Sequence, residues 1–166
     1  ANEKAGEFRE AIEEYYRALE QLSQRILRRF EQALELEEGF FDDKFDRHTS
    51  ILTLNHYPPL RPSFNPTPGQ LRVASHTDVS LFTLVYQDNL GGDLAEGGGL
   101  EVMVGEDEWI PVPSTPGAFI LNIGDFFKDW TRGRWPSTRH RVSLPPDLVL
   151  LGTGEIKEQH LAETCP

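Results

Sequence analysis

Two textures of hydrophobic spacing divide the chain. From about Lys4 to Leu36 the apolar residues Phe8, Ile12, Tyr15, Leu19, Leu22, Ile26, Phe30 and Leu34 recur three or four residues apart, with Glu, Arg and Gln between them and no proline. That period lines them along one face of a single long amphipathic helix. The polar face mixes both charge signs, so the stripe is expected to pack against the remainder of the domain and not on a membrane surface. Gly39 is placed to end the helix or the turn after it. Phe40, Phe41 and Phe45 then interleave with Asp42, Asp43 and Asp46, a short segment expected to seat aromatic rings in a core.

After Arg47 the spacing shortens to β-prone runs, and it stays so to about Leu151. The predicted strands are Ser50 to His56, Leu71 to Ser75, Leu81 to Gln87, Gly99 to Val104, Glu108 to Pro111, Ala118 to Ile123, and Arg139 to Leu144. Pro58-Pro59, Pro62, Pro66, Pro68-Gly69, Gly91-Gly92, Gly97-Gly98-Gly99, Gly105, Pro116-Gly117 and Pro136 separate them. Many short strands at close spacing predict an antiparallel sandwich or barrel with the helix packed outside. The layout is a helical scaffold over 1–46, a β core over 47–151 and a polar tail over 152–166. The glycines from Gly91 to Gly99 lack the Lys and Ser/Thr of a phosphate loop and precede a strand, so they read as a surface loop and exclude a nucleotide site.

Composition narrows the picture. The 166 residues with 38% hydrophobic content suit one globular domain. A net charge of −11 argues against nucleic acid or anionic membrane as partner. Part of that charge is local, in Glu3, Glu7, Glu10, Glu13, Glu14 and Glu20. The single Cys165 forms no internal disulfide, which is compatible with a reducing compartment, and the N-terminus lacks the order of a signal peptide. The expected setting is cytoplasmic.

The candidate chemistry lies in His76-Thr77-Asp78, answered 64 positions beyond His76 by His140. Residues i and i+2 of a strand project from one face, so His76 and Asp78 can grip one ion while Thr77 points away. Two imidazoles and one carboxylate on one face of a coordination sphere leave the remaining positions for exogenous ligands, which suits non-haem Fe(II). His48 and His160 have no partner at ligand spacing and read as surface residues. Trp109, Trp130 and Trp135 read as packing residues.

The motifs occur in a definite order: Leu54-Asn55-His56-Tyr57-Pro58-Pro59, His76-Thr77-Asp78, the run from Pro116 to Asp125, Trp130-Thr131-Arg132-Gly133-Arg134, and Ser137-Thr138-Arg139-His140-Arg141-Val142. Together they resemble the Fe(II)/2-oxoglutarate-dependent dioxygenases of the isopenicillin N synthase-like family, from the long helix to about Pro145. The resemblance implies a double-stranded β-helix, or jelly roll, holding iron in its mouth through His76, Asp78 and His140. It implies 2-oxoglutarate as co-substrate, O₂, and a small organic substrate that is hydroxylated or desaturated.

The resemblance also implies Asn55 and Tyr57 beside the co-substrate; on a strand these two share a face and His56 points the other way. Relatives carry an R-x-S pair on the strand after the last histidine, where the guanidinium grips the far carboxylate of 2-oxoglutarate. Here the R-x-S that follows the last histidine is Arg141-Val142-Ser143, directly after His140. Arg141 is therefore the candidate anion partner, although strand alternation turns it away from the iron face. The run Leu148-Val149-Leu150-Leu151 stands where the arginine is expected. These departures suggest a chain shortened at both ends, and they leave open a second reading, a metal-binding remnant that turns over 2-oxoglutarate weakly or not at all.

Overall fold

The structure, a computed structural model, describes residues 3–58, 60, 63–87 and 99–144. The stretch from Gly91 to Gly98, the Leu148–Leu151 run and the tail over 152–166, with His160 and Cys165, lie outside the described residues. The chain divides between His56 and Tyr57 into two compact units.

The first unit is built on α1, Glu3–Ala33. The helix stops slightly earlier than its hydrophobic period suggests, because Glu35 takes a left-handed φ of 57°. Leu36 N–H then returns to Glu31 O at 2.9 Å and Glu35 N–H to Gln32 O at 3.3 Å, the paired bonds of a Schellman cap. Glu31 also organises the turn beyond the cap. Its carboxylate, only 2% exposed, accepts from the Gly39 amide at 3.2 Å and the Phe41 amide at 3.1 Å, and pairs with Arg28 at 3.0 Å. Burial alone pushes the Glu31 pKa up; the two amides and Arg28 outweigh it and hold the group below the usual carboxylate range. The turn so fastened buries Phe41 and packs it edge-on against Phe40 and at a tilt against Phe45, with ring centroids 5.1 and 5.7 Å away.

Residues 50–56 depart from expectation, since they form no strand. Tyr16 donates its hydroxyl to Ser50 O at 3.0 Å, and Leu52 and Leu54 line a groove with Phe8, Ile12 and Tyr16. A strand needs a ladder partner, and this segment is laid along the helix instead.

The second unit holds the other six predicted strands: β1 Leu71–His76, β2 Phe82–Val85, β3 Leu100–Val104, β4 Glu108–Pro111, β5 Ile120–Ile123 and β6 His140–Ser143. They form two antiparallel sheets, ordered β1-β6-β3-β4 and β2-β5. Asn122 of β5 reaches His140 of β6, so the two sheets face one another as the halves of a jelly roll do. A short helix that the spacing did not reveal, α2 Asp125–Trp130, follows β5. It buries Phe127 against Trp135 at 5.2 Å between centroids, and it ends where Arg132 and Gly133 both adopt positive φ. Six residues are too few to show a helical period.

Candidate metal centre

Strand register assembles the site. His76 and His140 are directly opposed across the β1–β6 pair, so both imidazoles leave the sheet on one side, with ring centroids 4.2 Å apart. A register shift between Val73 and His76 adjusts the facing of the last residue of β1. Asp78 is not on the strand; it lies two residues beyond its end. Backbone bonds to the start of α2 turn it inward instead. Asp125 N–H donates to Asp78 O at 2.8 Å, Phe126 N–H to Ser80 O at 3.2 Å and Gly124 N–H to Leu81 O at 2.8 Å. Thr77, pointing away from the histidines, donates its hydroxyl to Asp125 Oδ2 at 3.0 Å.

The donor atoms converge. Asp78 Oδ1 stands 3.8 Å from His76 Nε2 and 3.6 Å from His140 Nε2, and one donor atom from each of the three residues lies within 4.8 Å of the others. Each imidazole has its other nitrogen beside a carbonyl two residues back: His76 Nδ1 lies 2.8 Å from Ala74 O and His140 Nδ1 lies 3.2 Å from Thr138 O. A carbonyl only accepts, which at His76 favours the proton on Nδ1 and leaves the Nε2 lone pair free for a cation; His140 Nδ1 also has the Asn122 amide nitrogen 3.1 Å away, and a cation at its Nε2 selects the same tautomer. The donor set fits a divalent metal: two neutral nitrogens and one anionic oxygen, spaced within reach of an ion whose bonds run to roughly 2.0–2.2 Å. The ligands are graded in access, with the side chains of His76, Asp78 and His140 retaining 44%, 19% and 10% exposure. The wall beside them is apolar, because Val102 lies next to His140 in the ladder and Ile110 next to Val102.

The other candidates fall elsewhere. Arg141 follows His140 on β6 and lies opposite Glu101, on the sheet face away from the ligands. Its Nε donates to Glu101 Oε2 at 2.5 Å, and its guanidinium stacks 4.1 Å from the Trp109 ring centroid. The structure therefore does not bring Arg141 to the donor atoms. Tyr57 opens the second unit, half-exposed, with the Arg72 guanidinium 5.5 Å from its ring and donating to Pro58 O at 3.1 Å. Asn55 belongs to the first unit and has no strand to fix its facing. Sequence reasoning gave no role to Asn122, which touches two of the three ligands, nor to Asp125, which holds Thr77. Both lie in the run from Pro116 to Asp125, whose only readable signal was its turn residues.

The family model of the 2OG-Fe(II) oxygenase superfamily matches residues 48–148, which carry every strand among the described residues and the three candidate ligands. The chain belongs to that superfamily. It is 36% identical over 146 residues to the 2-oxoglutarate-Fe(II) type oxidoreductase ppzD of Metarhizium rileyi, covering 84% of this chain and 38% of that protein. To the validamycin A dioxygenase of Streptomyces hygroscopicus subsp. limoneus it is 34% identical over 140 residues, covering 84% and 36%. Among solved structures, a 2OG-Fe(II) oxygenase family protein from Caulobacter crescentus aligns with a TM-score of 0.58 at 27% identity, over 84% of this chain and 41% of that one. The chain thus spans well under half the length of these superfamily members. The family's cofactors are Fe(II) and 2-oxoglutarate, as the relatives' names state.

Proposed function

We propose that this chain carries the metal and co-substrate core of an oxygenase that oxidises a small organic molecule by hydroxylation or desaturation. The observation that carries the reading is the convergence of His76 Nε2, His140 Nε2 and Asp78 Oδ1, with both Nδ1 positions held by backbone carbonyls. When bound, Fe(II) supplies the oxidising chemistry, coupling O₂ to the decarboxylation of 2-oxoglutarate to succinate and carbon dioxide as the substrate is oxidised. The protein's part is positional. His76 and His140 present their Nε2 lone pairs, and Asp78 contributes one negative charge toward balancing a dication. His76 and His140 would hold the ion from β1 and β6 and Asp78 from the corner beyond β1, and three protein donors would leave coordination positions for exogenous ligands.

Val102 and Ile110 continue the ligand row with aliphatic groups, which suits a substrate presenting a C–H bond to the metal. Tyr57, with a phenolic hydroxyl able to donate to a carboxylate, is the co-substrate neighbour in this reading; Arg141 serves that role only by leaving Glu101 and Trp109. Among the described residues no helix is long and apolar enough to cross a membrane. The acidic balance and lone cysteine suit work on a small molecule in the cytoplasm.

The test is succinate release from 2-oxoglutarate by the Fe(II)-loaded chain in air, against Asp78→Ala. Release that requires iron and is lost in the variant supports the proposal. Release indifferent to Asp78, or none above the variant, refutes it.

A further inference from the structure

Asn122 is a buried amide, 8% exposed, on a strand otherwise made of Ile120, Leu121 and Ile123. A polar group is tolerated in such a place when its hydrogen bonds are made. On β5 it stands opposite Thr83 and faces across to the other sheet, where its Nδ2 lies 3.1 Å from Asp78 Oδ2 and 3.1 Å from His140 Nδ1. A cation on His140 Nε2 requires the proton on Nδ1, where Thr138 O accepts it; the amide then donates to the carboxylate, and its approach to the imidazole is packing. The other oxygen, Asp78 Oδ1, is the one turned to both Nε2 atoms.

Resting on the assignment of the metal centre, we propose that Asn122 is a positioning residue for the metal. By holding Oδ2 it makes Asp78 present a single oxygen, and by lying against His140 it sets the distance between carboxylate and imidazole. Without the amide, the carboxylate is free to rotate about its Cβ–Cγ bond and offer both oxygens, which takes up a coordination position that co-substrate or O₂ requires. The nearby Thr83 hydroxyl does not replace it, since it lies 3.3 Å from Ser80 Oγ. Side chains that orient a ligand in this way typically change metal affinity by about 10–100-fold when removed.

The experiment is an anaerobic titration of the full chain and of Asn122→Leu with Co(II), which reports coordination through its visible ligand-field bands. The thermal midpoint of each metal-free protein is measured beside it. Expected for Asn122→Leu are a Co(II) affinity lower by about 10–100-fold, ligand-field bands altered in position and intensity, and a smaller effect on the metal-free midpoint than on affinity. If Asn122→Leu does not fold by circular dichroism, Asn122→Ala is measured in the same way and carries the same expectation. Bands and affinity equal to those of the parent overturn the proposal, including where the midpoint falls, because that pattern is a structural role alone. A parent chain that binds no Co(II) overturns the metal centre itself, and is told apart by failing before any substitution is made.

Discussion

Gly124→Ala adds one methyl group outside the candidate ligand set and is predicted to damage both the fold and the metal site. The backbone there is extended, with φ −97° and ψ 173°, so alanine carries no conformational penalty and the effect is one of space. A Cβ on Gly124 would lie 2.1 Å from Ser80 O, 2.6 Å from Ser80 C and 2.8 Å from Ser80 Oγ. The obstacle is mainly backbone, which must retreat by roughly 1 Å or more to reach an ordinary contact distance. That backbone is the segment from Asp78 to Leu81, fastened to the start of α2 by the three bonds from Gly124, Asp125 and Phe126. Overpacking costs about 1–3 kcal/mol, and losing two of the three bonds adds about 2 kcal/mol, at about 1 kcal/mol each, for a total of roughly 3–5 kcal/mol. Asp78 moves with the segment, so metal affinity falls as well. Denaturant unfolding of the metal-free protein and a Co(II) titration read the two effects. Gly105→Ala is the control: its Cβ meets nothing within 4 Å, and only the φ of 66° opposes it, at about 1–2 kcal/mol. A Gly124→Ala protein within about 0.5 kcal/mol of the parent, the usual scatter for surface changes, would refute the idea that this close approach clamps the ligand corner.

Glu31→Gln keeps the size of the side chain but removes the charge that faces two amides and Arg28, and should lower the stability of the helical unit by roughly 1–3 kcal/mol in a chemical melt. Because the folded-state pKa of Glu31 lies below its ordinary value of 4.5, its stabilisation is fully present above that value and is lost as pH falls through the lower one; the variant should lack this part of the acid dependence. Arg141→Ala should leave Fe(II) and 2-oxoglutarate binding by calorimetry unchanged and cost about 1–2 kcal/mol of stability, reduced by partial exposure, through lost contact with Glu101 and Trp109.

How far the sequence revealed this structure depended on whether a feature was local. Six strands were legible because alternation and turn residues mark them within a few positions, and the candidate triad, whose donor atoms the structure brings within 4.8 Å of one another, was legible through the motifs around it. Parity alone anticipated that Arg141 and His140 leave β6 on opposite faces. The segment 50–56 misled because its composition suits a strand, whereas the decision depends on which neighbour accepts its hydrogen bonds, here the α1 side through Tyr16. Strand parity was expected to set the facing of Asp78 beside His76, but a contact 47 residues away in sequence, from Asp125, sets its direction. Asn122 carried no signal of its own: one amide in an apolar strand reads as a defect until the facing sheet is seen.

The central claim is that His76, Asp78 and His140 hold Fe(II) so that 2-oxoglutarate binds beside it. An anaerobic titration with Fe(II), with and without 2-oxoglutarate, tests this directly through the visible charge-transfer absorption of a chelated 2-oxo acid. The account predicts that the band grows to one equivalent of iron per chain, needs both components, and is absent in His140→Ala. A band of equal intensity in His140→Ala, or tight iron binding that 2-oxoglutarate leaves spectroscopically unchanged, would contradict it.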